Sequence, residues 1–205
     1  MELRKKAGNR CRWDWLLDET FFNLLDTVST SQTSQTLRVF PKSLEMILNF
    51  TNIVPDHREL KGIILVDRPA ETWSWGVPFL EADKSVFYGL KRRNQQYFGT
   101  KERYFKFLVD NKIVPLYLSL TAGSNAVENG KHEVVWLNFM LGVLRKLITS
   151  SNHSPVSLLT WNKDVTCAVE PLHRDLGNKM ILFETNHFFQ QRYRDSFDWF
   201  IESFF

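Results

Sequence analysis

The stretch that decides the fold runs from Gly62 to Phe79 and reads GIILVDRPAETWSWGVPF. Its apolar run, residues 62–66, is typical of a buried strand in a parallel sheet, and the run ends abruptly at Asp67. Because ligands bind beyond the carboxyl ends of such strands, a carboxylate at this position is a candidate for catalysis. A helix N-cap or a turn would also place an Asp here, and this segment alone leaves both interpretations open.

Four short β-rich runs recur along the chain, and helical patterns separate them. Such alternation predicts an α/β fold. Because crossovers between parallel strands are right-handed, we expect a three-layer α/β/α arrangement, with a central sheet of four parallel strands and helices on both faces. The predicted strands are residues 62–66, 113–120, 156–161 and 180–184, and the predicted helices include 13–28, 42–49, 87–94, 103–110 and 133–148. The last of these helices is predicted to bury one apolar face, made of Val134, Leu137, Leu141, Leu144 and Leu147.

Length and composition predict one domain with a sizeable core. The chain has 205 residues, 43% of them hydrophobic, and it contains seven Trp and seventeen Phe. A chain of this size buries enough surface to fold as a single unit. Most of the aromatic rings are expected in the core, and the remainder suit base stacking or a protein interface. We expect the folded domain to cover residues 13–205.

The basic residues are unevenly distributed along the chain. Residues 1–12 hold five Lys or Arg and one acid, which leaves 21 basic and 22 acidic residues in the remainder, a net charge of −1. A DNA-binding protein usually gathers Lys and Arg on one surface, so the folded part shows no overall electrostatic bias toward DNA. We therefore interpret residues 1–12 as a basic, flexible N-terminal tail.

The sequence lacks the features of several classes of protein. No apolar stretch approaches the roughly 20 residues of a membrane span, and residues 1–10 lack the apolar centre of a secretory signal. Cys11 and Cys167 lie far apart and have no zinc-ligand spacing, and no phosphate-binding glycine loop is present. The sequence therefore predicts an intracellular protein, not secreted, with reduced thiols and with no metal, cofactor or membrane association.

A parallel sheet brings the residues that follow each strand to one edge. Asp67 follows the first predicted strand and His187 follows the last, so the two side chains are a candidate catalytic pair. A lone His after a strand is more often a structural hydrogen-bonding residue than a catalyst, so both interpretations of His187 stay open. Residues 117–121 and 161–163 follow the other two strands and are expected at the same edge.

A series of short motifs covers nearly the whole chain. Together, and in this order, they resemble the uracil-DNA glycosylases of the cellular and large DNA virus type, and the GVPF motif is similar to that of the poxvirus branch. The motifs are WDWLL at 13–17, VFP at 39–41, LKGIILVD at 60–67, GVPF at 76–79, VPLYLSLT at 114–121, His132 with Trp136, LLTW at 158–161 and TNH at 185–187.

The resemblance implies a chemistry, the hydrolysis of the N-glycosidic bond of a uracil flipped out of DNA. Asp67 would stabilise the positive charge that grows on the sugar and would position the attacking water. His187 would donate a hydrogen bond to the uracil oxygen that gains negative charge. Phe79 would stack on the flipped base, and Val66 and Tyr117 would lie beside it. The residues implied to contact DNA are Asn162, Lys163, Phe188 and Phe189.

The chain departs from the family at the parts that recognise uracil and DNA. Tyr117 stands where the family has an Asn, and a phenol does not present the paired donor and acceptor of an amide, unless Asn125 supplies them from the following loop. Residues 68–70 read RPA where the family has PYH, so the Tyr that excludes thymine is missing. The proline-rich loop is unrecognisable at residues 80–85, and residues 188–191 read FFQQ in place of the PSPL wedge.

Two interpretations therefore stay open. One is an active glycosylase with an altered base preference. The other is a catalytically degenerate relative that acts as a protein-interaction or single-stranded DNA-binding scaffold, for example with a replication or processivity factor in viral DNA replication. In either case we expect weakened DNA binding and a location in the nucleus or at the site of viral DNA replication. The aromatic residues that would serve an interface are Trp73, Trp75, Phe188, Phe189, Trp199, Phe204 and Phe205.

Overall fold

The computed structural model describes residues 11–30, 50–68, 101–121, 126–160, 163–184 and 199–204. Short 3-10 turns precede the first helix, precede the first strand and precede the last strand. The elements in chain order are α1 (Glu19–Thr30), β1 (Gly62–Val66), α2 (Lys101–Asp110), β2 (Ile113–Tyr117), α3 (Ala126–Ser150), β3 (Val156–Thr160), α4 (Lys163–Leu176) and β4 (Met180–Glu184), and residues 199–202 are helical.

The four strands form one sheet in the order β2-β1-β3-β4, and all three pairings are parallel. This confirms the predicted α/β class, the four-stranded parallel sheet and the bounds of β1 and β4. The two other strands end earlier than predicted, at Tyr117 and Thr160. Strand β2 ends at Tyr117 because its partner Val66 is the last residue of β1, and the loops that follow the two strands are joined by two further backbone hydrogen bonds.

Helical residues pack on both faces of the sheet. Gly62 and Ser157 are neighbours in register, and both face the C-terminal segment: the Oγ atoms of Ser157 and Ser203 are 2.9 Å apart. On the opposite face, Thr160 Oγ1 lies 2.6 Å from Thr166 Oγ1 in α4. Helix α3 packs on α4, and α1 packs on α3. The arrangement is consistent with a three-layer α/β/α fold.

The strands β1, β2 and β3 are buried along their whole length, and they form the centre of the core. This is the burial expected of parallel strands that are covered on both faces. Strand β4 lies at the edge of the sheet, and only Met180 is fully buried. No helix within the described ranges has the length and apolar character that crossing a bilayer requires.

The predicted helix over residues 13–28 is wrong at its start. A 3-10 turn covers Asp14–Leu16, and α1 begins only at Glu19. Asp18 sets this boundary, because its Oδ1 accepts a hydrogen bond of 2.9 Å from the amide of Phe21, which is the geometry of an N-cap. Trp13 lies outside α1, and its indole N–H donates a hydrogen bond of 2.9 Å to the carbonyl of Val54.

The apolar face predicted for α3 is also wrong in part. The helix is longer than predicted, and Val134 is 75% exposed. The buried face keeps a spacing of three or four residues, but it begins at His132 and continues through Trp136 and Met140 in place of Val134 and Leu137. The residues of this helix that are buried include His132, Trp136, Met140, Val143, Leu144, Leu147 and Ile148.

Two residues of the predicted N-terminal tail pack onto the domain. The Cys11 side chain is 5% exposed, and its thiol lies 3.3 Å from the carbonyl of Trp13. The Arg12 amide donates to Thr51 Oγ1 at 2.8 Å, and its guanidinium contacts Asn52. The predicted helices at 42–49 and 87–94 lie outside the described residues, as do residues 1–10.

Candidate functional site at the carboxyl edge of the sheet

The order of the strands defines where a ligand site is expected. The chain leaves β1 toward β2 on one side, and it then returns past β1 to β3 on the other side. The boundary between β1 and β3 is therefore a topological switch point, where crossover connections leave on opposite faces and a crevice forms at the carboxyl ends of the strands. Asp67 is the first residue after β1, so it lies at the edge of the sheet where such a crevice is expected.

The backbone of Asp67 is fixed by hydrogen bonds that continue past the end of the β1–β2 ladder. The Leu118 amide donates to the Val66 carbonyl at 2.7 Å, and the Ser119 amide donates to the Asp67 carbonyl at 2.8 Å. The two loops that leave β1 and β2 are thus joined for two residues beyond the strands. The backbone that carries the Asp67 carboxylate therefore has a defined position, and preorganised groups of this kind are what electrostatic catalysis requires.

The Asp67 carboxylate forms an ion pair with its neighbour. Arg68 Nη1 lies 3.3 Å from Asp67 Oδ2 and 2.7 Å from Glu133 Oε1 on α3. The Asp67 side chain is 30% exposed, and the other two side chains are each 38% exposed. One guanidinium therefore links the end of β1 to α3, and it places a positive charge beside the candidate catalytic carboxylate.

Tyr117 ends β2 next to Val66 and is buried, with 1% of its surface exposed. Its ring packs against that of Phe50, with centroids 5.8 Å apart. Burial raises the pKa of the Tyr117 phenol, and the negative charge of Asp67 raises it further, so the phenol stays neutral. The last residue of β2 therefore carries a neutral ring that is packed in the core.

A buried polar network holds the loop after β2 against α3. The Trp136 indole donates to Thr121 Oγ1 at 2.8 Å, and the same oxygen lies 2.6 Å from His132 Nδ1. The Ser119 hydroxyl donates to the Thr121 carbonyl at 2.7 Å. His132 and Glu133 are adjacent on α3, so neighbouring residues of one helix bind the loop after β2 and the loop after β1.

The predicted site residues that lie within the described part occupy the expected edge of the sheet. Val66 and Asp67 follow one another at the end of β1, Tyr117 ends β2, and Lys163 is the exposed first residue of α4. Sequence reasoning missed Glu133 and the ion pairs of Arg68, because nothing in the local pattern connects residues 65 positions apart. The predicted site residues that lie outside the described part are Phe79, Asn125, Asn162, His187, Phe188 and Phe189.

A cleft of about 220 Å³ lies at the opposite, amino edge of the sheet. Lys61 and Ser157 line it beside the first residues of β1 and β3, and His153 and Phe204 complete its walls. Asp67 is not among the residues that line this cleft. Within the described ranges, no group of three or more His, Cys, Asp and Glu side chains has the arrangement of a metal site.

Comparison with known proteins adds no relative to this description. No protein-family model matches the chain, and no curated protein matches it either. The class that the described residues define is therefore an α/β protein with a parallel four-stranded sheet and a carboxylate at its topological switch point.

Proposed function

We propose that this chain is a uracil-DNA glycosylase-like protein, which hydrolyses the N-glycosidic bond of a uracil or an altered base that is flipped out of DNA. The observation that carries the proposal is the position of Asp67, which follows the central strand β1 at the topological switch point. The order of motifs along the chain, from residues 13–17 to 185–187, supports the same assignment.

Hydrolysis of the glycosidic bond requires two groups, one that stabilises positive charge and one that stabilises negative charge. When the glycosidic bond breaks, positive charge develops on the sugar and negative charge on the base. Asp67 stabilises the sugar and orients the attacking water, and His187 donates a hydrogen bond to the base. The neutral Tyr117 and the apolar Val66 exclude water beneath the base, and Phe79 stacks on it.

A second candidate function is a scaffold of the same fold that does not hydrolyse the bond. Two observations favour it. The first is that Tyr117 is buried against Phe50 and offers no amide to the base. The second is the ion pair of Arg68 with Asp67, which offsets the negative charge that the sugar cation would need. Trp199, which is 59% exposed, is a described aromatic residue that suits a protein interface.

Uracil release from single-stranded DNA that contains one deoxyuridine tests the first proposal, with the protein in excess at low salt. The parent is expected to release uracil, and Asp67→Asn and His187→Ala are expected to lose release by about 100-fold or more. Asp175→Asn is the matched control, because Asp175 forms a similar exposed ion pair, 2.7 Å from Arg145, at the far end of α4. It is expected to release uracil like the parent.

The opposite result would favour the scaffold. If the parent releases no uracil over a long incubation, the hydrolase proposal is contradicted, and a protein partner becomes the expected ligand. Binding to such a partner should survive high salt. Binding to DNA should weaken steeply with salt, because phosphate contacts release counterions.

A further inference from the structure

One edge of the Arg68 guanidinium faces no acceptor among the residues that the structure describes. Arginine carries five N–H donors, on Nε, Nη1 and Nη2. Both carboxylate contacts of Arg68, to Asp67 and to Glu133, are made by Nη1. Within the part of the chain that the structure describes, Nε and Nη2 contact no acceptor, and the side chain is 38% exposed. The Nε–Nη2 edge presents two parallel N–H donors and is able to bind a phosphate with two hydrogen bonds.

We propose that Arg68 binds a phosphate oxyanion through this Nε–Nη2 edge. The two carboxylates hold Nη1 and so fix the plane of the guanidinium, which lowers the entropy lost when the second edge binds. The identity of the phosphate follows from the proposed function: it is a backbone phosphate of single-stranded DNA, next to the nucleotide whose base enters the crevice at Asp67.

The two carboxylates also repel an anion. The proposal therefore predicts in which direction the affinity for phosphate changes when a charge is removed. Asp67 and Glu133 each carry a negative charge near the guanidinium, so the cluster of three side chains has a net charge of −1. Removing the charge of Glu133 leaves Arg68 with one carboxylate partner and should increase the affinity for phosphate. Removing the charge of Arg68 should decrease it.

The test is the salt dependence of binding to a labelled oligothymidylate without uracil, measured by fluorescence anisotropy. One phosphate contact with a single strand contributes about 0.7 to the slope of log K against log[salt]. Arg68→Gln is expected to reduce the magnitude of that slope by about 0.7, and Glu133→Gln is expected to increase the affinity. Arg58→Gln is the matched control, since Arg58 Nε and Nη2 are both occupied by Asp56, at 2.9 and 2.7 Å. Its slope should equal that of the parent.

Each of three results would overturn the proposal. The first is an Arg68→Gln slope equal to that of the parent, and the second is no oligothymidylate binding by the parent. The third is Arg68-dependent binding of inorganic phosphate, measured by calorimetry, without Arg68-dependent binding of the oligonucleotide. If Arg68→Gln fails to fold in a urea titration, the Glu133→Gln affinity decides, and an unchanged or lower affinity overturns the proposal. Loss of uracil release with the expected slopes would contradict the hydrolase alone.

Discussion

His57 is surrounded by aromatic and charged groups that come from three parts of the chain. Its ring contacts those of Trp15 and Trp13 edge to face, with centroids 5.4 and 6.4 Å away. Lys146 of α3 places its ammonium 4.2 Å from the centre of the Trp15 ring. Burial lowers the pKa of His57, Lys146 and Arg58 lower it further, and Asp56 acts in the opposite direction. The imidazole is therefore held more neutral than it is in an unfolded chain.

This lowered pKa predicts a pH dependence of stability. The unfolded chain binds more protons than the folded protein between the folded pKa and about 6.5, so the free energy of unfolding falls as the pH drops below about 6.5. We expect His57→Gln to reduce this fall, as measured by urea titrations between pH 7.5 and 5. His153→Gln, on an exposed loop, is the control and should keep the parent's dependence. Equal pH dependence in His57→Gln and the parent would contradict the account.

At the scale of elements, the Thr121 hydroxyl joins the loop after β2 to α3. It accepts a hydrogen bond from Trp136 and contacts His132, and all three side chains are buried. A buried polar group that loses its hydrogen-bond partner destabilises the folded state, because water does not reach it to replace the partner. The same loop carries Ser119, whose amide holds Asp67, so the network also supports the candidate site.

Thr121→Val keeps the shape of the side chain and removes its hydroxyl. We expect it to lower the free energy of unfolding by about 1–3 kcal/mol, because the Trp136 indole N–H is left without its acceptor. Thr121→Ser keeps the hydroxyl and is expected to cost less. Chemical denaturation of the three proteins measures the difference, and a Val variant as stable as the Ser variant would show that the network contributes no stability.

The C-terminal segment docks where β1 has no side chain. A Cβ atom on Gly62 would lie 2.5 Å from Phe204 Cζ and 3.3 Å from Ile113 Cγ1, so only glycine leaves room for the Phe204 ring. The Phe200 ring packs on Phe204, with centroids 5.0 Å apart, and on Phe183 of β4. The close approach at Gly62 thus fixes the last described turn to the sheet.

Gly62→Ala is expected to destabilise the fold by about 1–3 kcal/mol, because the new methyl group overlaps a packed ring. In a Phe204→Ala background the same substitution should cost much less, since the ring is gone. A double-mutant cycle by urea denaturation measures this coupling. Additive effects of the two substitutions would mean that Phe204 does not pack on Gly62.

Sequence patterns predicted which helices and strands form more accurately than they predicted the residues at which these elements begin and end. The four strands were predicted because apolar β-rich runs alternate with helical patterns, and β1 and β4 have the predicted bounds. The start of α1 was missed because the apolar spacing of Trp13 and Leu16 continues across the cap at Asp18. The prediction for the buried face of α3 was wrong at Val134. This residue fits the helical spacing of the apolar residues, but its side chain is 75% exposed.

At the scale of the molecule, the order β2-β1-β3-β4 decides which loops meet. A parallel sheet was predictable from alternation and crossover handedness, whereas the order depends on which strands pair, and pairing is a long-range property. The strand-end position of Asp67 was predictable for the same reason. Its ion pair was not, because Glu133 reaches Arg68 from a helix 65 residues further along the chain.

The central claim is that the crevice at Asp67 is the ligand site of this protein. Its most direct test is a map of backbone amide NMR shifts on addition of a short single-stranded oligonucleotide that contains one deoxyuridine. The account predicts that, among the described residues, the largest shifts occur at 66–68 and 118–121, at the carboxyl edge of the sheet. Shifts centred on Lys61 and His153, in the cleft at the opposite edge, or no shifts at all, would contradict it.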